Sequence, residues 1–462
     1  MCKLVHVSVN GKIMLVQPGT TLSEILDIEK PCGGKGTCGK CRVKVNNKDT
    51  LACRYTITSD ISVETSEPAE IFSLTGVDES GTAANNLCFV LDIGTTTLAL
   101  ALVSLEEQQA VRVITATNPQ RKFGADIITR IDYCQKNSVH ALHNTLITEI
   151  NRMISQFAIT ADTMYISANV TMLHTFFGVD CSSIGIAPYT PAFLESKKEQ
   201  AGSLGLKGVK TVVSLPSVAS FVGADIVAGL HYADMPPDGK YNLLIDLGTN
   251  AEVVLYSNAS GVATAAAAGP CFEGANISCG MPAAKGAIYA FQLHHGCAQY
   301  KTIANQPPTG ICGTGLIDLI AELVKNGIID QTGHMDEDYI LSDSVYLSCK
   351  DVRQYQLAKS AVYSAILTLM KTMEVDFSDI AAMYVSGGFS GKMNIANAAD
   401  SGLLPRQLTD KAIALHNSSL QGAIKYACQG GDISRLTHMI QYIDLSSDPY
   451  FSQLFMENML FP

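Results

Sequence analysis

Two stretches decide the fold: LCFVLDIGTTTLALALVSL, residues 87–105, and YNLLIDLGTNAEVVLYSN, residues 241–258. Each reads as an apolar strand, the turn Asp-x-Gly-Thr and a second strand. Aligning Asp92 with Asp246 also aligns Gly94 with Gly248 and Thr95 with Thr249. Two such copies mark a duplicated pair of units. Each copy continues into mixed helix and strand, so the predicted class is α/β. One Asp-x-Gly-Thr could be any tight turn. Two, each ending an apolar strand, deliver a carboxylate to a strand tip and leave Gly and Thr backbone N–H groups and hydroxyls to face a phosphate.

A third element comes late, in MYVSGGFSGK: a strand, then Gly387, Gly388 and Phe389. Here side-chain-free backbone would let a base or ribose lie close. In this order the three elements resemble the acetate and sugar kinase, heat-shock chaperone and actin superfamily. That resemblance implies a phosphate loop 1 of Asp92, Gly94, Thr95 and Thr96, and a phosphate loop 2 of Asp246, Gly248, Thr249 and Asn250. It implies an adenosine loop of Gly387, Gly388 and Phe389. It also implies ATP as ligand, with the carboxylates of Asp92 and Asp246 holding Mg²⁺ directly or through water and orienting the attacking water.

Upstream, Cys32, Cys38, Cys41 and Cys53 follow the spacing C-x5-C-x2-C-x11-C in PCGGKGTCGKC and LAC. A 2Fe–2S cluster needs four thiolates, and three from one glycine-rich loop suit it. A four-cysteine zinc site is the competing reading, although zinc favours two separated short-spaced pairs. Lys35, Lys40, Arg42 and Arg54 surround this loop, either to offset a negative cluster and steer an acidic partner or simply as a solvated surface. Alternating residues flank Asn10-Gly11, a hairpin signal, and TTLSEILDI reads as a short Thr-capped helix. The expectation is a β-grasp ferredoxin over residues 1–65 and a linker over 66–86. An actin-like ATPase then occupies 87–462, with subdomain I at about 87–240 and subdomain II at about 241–462.

The bulk numbers exclude other classes. A net charge of −11 over 462 residues argues against nucleic acid as a partner. No apolar run approaches the ~20 residues needed to span a bilayer, so no membrane role is expected. MCKLVHVSVNGK is an alternating strand, not a signal peptide. With 14 cysteines, that points to a reducing cytoplasm.

The four-cysteine unit followed by this ATPase pattern resembles one family end to end, the ATP-dependent reductive activators of corrinoid proteins. The resemblance rests on CGGKGTCGKCRV, LDIGTTT, NPQRKFGADIITRI, NVTMLH, FVGADIVAG, DLGTNAEVVL, GPCFEGANISCGMPAAKGAI, GICGTGLID and SGGFS. It implies one-electron return of inactive Co(II) to Co(I) in a corrinoid protein of a methyltransferase system. It also implies an upstream low-potential electron donor and a homodimer. Glu273 and Asp126, acidic residues among glycines, are either cleft carboxylates or turn caps. Cys271, Cys279 and Cys312 lack a compact ligand loop and read as buried thiols. Ala168 stands where a glycine is expected before Asn169, and an extra small domain often present in the family has no evident counterpart. Competing functions are a radical-dehydratase-type activator and a nucleotide-gated redox sensor.

Overall fold

A computed structural model describes residues 4–26, 28, 36, 41–65, 86–294, 296–388 and 390–462. Cys32, Cys38, Lys35, Lys40, Phe389 and all of the expected linker except Asn86 lie outside the described residues.

The N-terminal sheet contains β1 (Val5–Val9), β2 (Lys12–Val16), β3 (Arg42–Val45), β4 (Lys48–Leu51) and β5 (Ile61–Glu64), with α1 (Leu22–Ile25) after the first hairpin. Its strand order is β2-β1-β5-β3-β4. Asn10 and Gly11 take φ of 47° and 85°, the paired positive values that a two-residue hairpin turn requires. Thr21 stands at the N-cap of α1, but its side chain makes no capping bond, so the expected cap is positional only. Val7, Leu22, Ala52, Ile57 and Val63 form the small core, and Cys41 is buried with them.

The first repeat opens a six-stranded sheet of β6 (Leu87–Ile93), β7 (Thr97–Ser104), β8 (Gln109–Thr117), β9 (Ala161–Ala168), β10 (Lys198–Gln200) and β11 (Val209–Ser214). Helices α2 (Ile127–Lys136), α3 (Val139–Ser155), α4 (Val170–Phe177) and α5 (Ala224–Tyr232) accompany it. The second repeat opens another sheet with β12 (Tyr241–Leu247), β13 (Ala251–Tyr256) and β14 (Gly261–Ala266). An excursion follows through β15 (Ala287–His294), β16 (Cys297–Thr302), β17 (Gly310–Ile311), α6 (Gly313–Lys325), β18 (Tyr339–Ser342), β19 (Val345–Leu347) and α7 (Cys349–Thr372). The chain re-enters the sheet as β20 (Ile380–Ser386), α8 (Ile395–Asp400) and β21 (Ala412–Ala414). It ends with α9 (Ser418–Gln429), α10 (Ile433–Met439), β22 (Ile440–Tyr442) and α11 (Pro449–Glu457).

The duplication holds over five strands of each sheet, with β10 and β22 added at opposite edges. One sheet runs β10-β11-β9-β6-β7-β8 and the other β21-β20-β12-β13-β14-β22. In each, an antiparallel three-strand meander is joined on its first strand by two parallel strands. Central strands are buried on both faces, as the apolar runs FVL and LLI require. The two sheets meet through α5 and α9. Helix α9 belongs to the second half yet lies on β6 and β9 of the first, and α5 touches both β9 and β12.

Helix α9 can approach α5 because Gly422 has no side chain. A Cβ there would stand 1.8 Å from Ala228 O. The crossing is backbone against backbone.

Candidate functional site

Both Asp-x-Gly-Thr turns sit where their strands end. Asp92 pairs in register with Ala99, and Asp246 with Glu252, so each carboxylate is the last side chain but one before its turn. The neighbouring parallel strand places a serine beside each aspartate: Ser167 opposite Asp92 and Ser386 opposite Asp246.

The first turn is held from behind. Gly94 O accepts from Asn118 Nδ2 at 2.8 Å, and Thr96 O accepts from Asn118 N at 2.8 Å. Thr95 O accepts from Arg130 Nη2 at 2.5 Å. With these three carbonyls occupied and the Gly94 N–H donated to Thr97 O at 3.0 Å, the turn has the N–H groups of Thr95 and Thr96 left for a ligand. Arg130 is fully buried and also donates Nε to Gly124 O at 2.9 Å. Burial pulls its guanidinium down to about 9, an effect reinforced by Arg121 and opposed by Asp126 and Glu273. The string NPQRKFGADIITRI is therefore a brace for the first Asp-x-Gly-Thr turn. Of the two readings of Asp126, the structure shows the cap: it is the N-cap of α2, accepting from Thr129 N at 2.7 Å.

Glu273 does reach the cleft. Its Oε2 accepts from Thr249 Oγ1 at 2.8 Å and from Thr96 Oγ1 at 3.4 Å, bridging the two turns. Asn169 adds a bond from Nδ2 to Thr95 Oγ1 at 3.2 Å. Gly387 follows β20 with φ of 118°, and a Cβ there would lie 2.2 Å from Leu247 O. Only glycine fits that approach. The corresponding Ala168 ends β9 in ordinary strand geometry. The missing glycine is therefore without consequence at that point. Instead Gly223 gives way to the turn after Ala168, where a Cβ would stand 2.5 Å from Asn169 Cα.

Four carboxylates crowd the cleft. Burial, with Asp246 nearby and a hydrogen bond from Ser419 opposing it, raises Asp92 to about 6. Burial together with Asp246 and Asp92 raises Asp225 to about 7. Burial raises Asp246 against a hydrogen bond from Ser386. Glu252 is pushed well up by burial and its acidic neighbours. Mutually destabilised carboxylates are what a bound cation relieves. Among the described residues no three His, Cys, Asp or Glu side chains gather closely enough to form a metal site of their own. The donor set instead suits Mg²⁺, which is usually held by one or two carboxylates together with nucleotide phosphates.

At the N-terminal sheet, Cys41 Sγ lies 3.2 Å from Cys53 Sγ, although the two are twelve positions apart, just before β3 and in the turn after β4. Two thiols this close fit adjacent ligands of one iron. Gly36, at φ of 71°, packs under Arg54, whose Nε would meet an added Cβ at 2.2 Å. Cys271 and Cys312 are buried in the ATPase core, and burial pushes the Cys271 thiol up to about 12.

Residues 240–462 match the family model described as the C-terminal domain of RACo, the ASKHA domain, and residues 87–238 match the one described as the RACo middle region. The chain belongs to this family. Its fold is the ASKHA, actin-like ATPase fold. Over its whole length the fold resembles that of a solved family protein, a reductive activator for a corrinoid, iron-sulfur protein. The TM-score is 0.74 at 25% identity, covering 99% of this chain and 98% of that one. The corrinoid activation enzyme RamQ of Eubacterium limosum is 28% identical over 80% of this chain and 69% of its own length. The [Co(II) methylated amine-specific corrinoid protein] reductase of Methanosarcina barkeri is 25% identical over 71% of this chain and 68% of its own.

Several site residues escape a reading of motifs alone. Asp225, Glu252, Arg130, Asn118 and Ser419 all lie at the cleft or brace it. Arg130 had a signal: it interrupts the apolar stripe Ile127, Ile131, Cys134 of α2, and a charge on a buried stripe needs a partner.

Proposed function

We propose that this chain uses ATP hydrolysis to drive one electron onto the Co(II) of a corrinoid protein, returning it to Co(I). The observation that carries the reading is the pairing of Asp92 and Asp246 on the two turns bridged by Glu273, in a chain whose N-terminal unit also brings Cys41 and Cys53 together. The names of the two relatives and of the solved family protein support the corrinoid substrate.

When bound by Cys32, Cys38, Cys41 and Cys53, a 2Fe–2S cluster supplies the single electron, and Mg²⁺ at Asp92 and Asp246 neutralises phosphate charge. Everything else falls to the chain. The N–H groups of Thr95 and Thr96 and of Thr249 and Asn250 cradle phosphate oxygens, while those of Gly94 and Gly248 close their own turns on Thr97 O and Asn250 O. Asp92 and Asp246 orient the attacking water, which cleaves ATP to ADP and phosphate. Gly387, Gly388 and Phe389 lie against adenosine. Arg130 and Asn118 keep the first loop from turning its carbonyls towards the anion.

ATP is needed because the uphill step is large. Ferredoxins of this type sit near about −400 mV. A deficit of roughly 150 mV against a harder-to-reduce Co(II) corresponds to about 3.5 kcal/mol for one electron. Closure of the two halves around nucleotide would change the partner's cobalt environment and shift that balance. On this reading the protein is a cytoplasmic homodimer fed by a low-potential donor.

The test is anaerobic. Iron-reconstituted protein, a strong reductant and a Co(II) corrinoid protein are mixed, and the Co(I) visible band is followed with and without Mg-ATP. An ATP-dependent rise that disappears in Cys41→Ala establishes the reading. Full Co(I) yield without ATP, or none despite ATP turnover and a reducible cluster, overturns it.

A further inference from the structure

Two adjacent serines at the start of α9 reach the two halves by matching routes. Ser419 Oγ donates to Asp92 Oδ1 at 2.7 Å and shares a 2.8 Å hydrogen bond with Ser167 Oγ. Ser418 Oγ shares a 2.6 Å bond with Ser386 Oγ, and Ser386 stands in register beside Asp246, where its hydroxyl works against the burial that raises that carboxyl. Ser167 and Ser386 are the register partners of Asp92 and Asp246 on equivalent strands. All four serines are buried. Buried hydroxyls persist only when paired, so this arrangement is specified rather than incidental.

The direction of the chain follows from proton count. An ionised Asp92 accepts only, so the single Ser419 proton is committed to it. Ser167 then supplies the proton between the two serines at 2.8 Å, in competition with its longer 3.2 Å approach to Ala224 O. Ser419 therefore joins the second half's helix to the first half's strands, whereas Ser418 acts within its own half. The same helix is fixed one turn on, where Gly422 meets Ala228, and Gly229 of α5 leaves 3.0 Å between an added Cβ and Ser418 Oγ. Helix α9 cannot slide on α5 without moving both serines.

We propose that Ser419 and Ser418 are positioning residues that tie α9 to both site aspartates, so that events at the nucleotide are delivered to the α5–α9 crossing and set the separation of the halves. This rests on the nucleotide reading of the site.

The test uses the full chain with Ser419→Ala, Ser419→Thr and Ser418→Ala. Steady-state ATP hydrolysis, melting temperature, and hydrogen exchange of α5 and α9 with and without Mg-ATP are compared. Ser419→Ala should lower kcat about tenfold or more, the loss expected for a hydrogen bond to a charged group. Its KM for ATP should stay within about threefold of the original, since the groups that bind nucleotide are intact. ATP should no longer slow exchange in α5 and α9, and Ser419→Thr should restore both readouts. Ser418→Ala should move them less. Wild-type kcat and ATP-dependent protection in Ser419→Ala would overturn the proposal. So would a uniform loss of protection, with a lowered melting temperature, that threonine fails to repair. If the wild type hydrolyses ATP but yields no Co(I), the functional reading fails while the kcat and exchange comparison still decides the role of the serines.

Discussion

Thr96 of the first half donates to Glu273 Oε2 of the second at 3.4 Å, and the same oxygen takes the Thr249 hydroxyl at 2.8 Å. One carboxylate thus spaces the two turns. Glu273→Ala should reduce kcat/KM for ATP hydrolysis about tenfold, whereas Glu273→Gln, which keeps an acceptor oxygen, should lose much less. Equal losses in steady-state assays would contradict the spacer role.

On the proposed function, Asp246→Ala and Asp92→Ala remove the groups that hold the cation and orient water. Each should depress ATP hydrolysis by about 100-fold or more. Co(I) yield should fall in parallel. A hydrolysis-dead variant that still gave full Co(I) would uncouple the two activities.

Arg130 is buried, and its fork spans Gly124 O and Thr95 O. Arg130→Met should destabilise the protein by about 2–4 kcal/mol, because it orphans buried carbonyls. ATP affinity should drop as well. Arg130→Lys should not rescue it, since an ammonium cannot reproduce the fork. Urea melts and nucleotide titrations check both statements.

The carboxylate cluster sets a pH dependence for the nucleotide-free protein. Asp92 and Asp225 are raised from 3.8 to about 6 and about 7. Between about pH 4 and 7 the native state holds protons that the unfolded chain has released, so these groups lose stability as pH rises through that window. The penalty is complete above it. Asp225→Asn should therefore raise the melting temperature of the metal-free protein near about pH 8 and flatten its slope towards acid. An unchanged thermal-shift profile would place Asp225 outside the coupled group.

Iron content tests the N-terminal unit independently of ATP. Reconstituted protein should bind about two iron atoms per chain, the 2Fe–2S stoichiometry, and Cys41→Ser or Cys53→Ser should abolish stable binding. About one zinc per chain, with no visible absorption, would favour the four-cysteine zinc alternative.

Much of the architecture was legible because it is carried by local pattern. The apolar runs before Asp92 and Asp246 predict buried strands, and the repeated turn predicts duplication. Both sheets indeed share the same order over five strands, with the sixth added at opposite edges. Asn10-Gly11 predicts its hairpin for the same reason, since the signal lies within a few residues of what it determines. The Tyr-Ile-Ser of 165–167 and Tyr-Val-Ser of 384–386 form a second internal repeat, visible in the chain but without evident meaning until strand pairing set each serine beside its aspartate. For Asp126 and Glu273 the local context was alike, an acid among glycines. One caps a helix and the other bridges two turns; aspartate just before the run IITRI is a local N-cap signal, whereas nothing local marks the partners of Glu273.

The sequence by itself determined the duplicated ATPase pattern, the two aspartates on their turns and the four-cysteine spacing, since each is encoded by neighbours along the chain. Only the tertiary structure decided which distant groups converge. Arg130 reaches Thr95, Glu273 reaches Thr96 and Ser419 reaches Asp92 across separations of 35, 177 and 327 residues. The first is made within one half by the placing of α2 against the turn after β6, and the other two depend on how the two sheets pack through α5 and α9, a product of side-chain volume and backbone approach at Gly422. No periodicity along the chain records it.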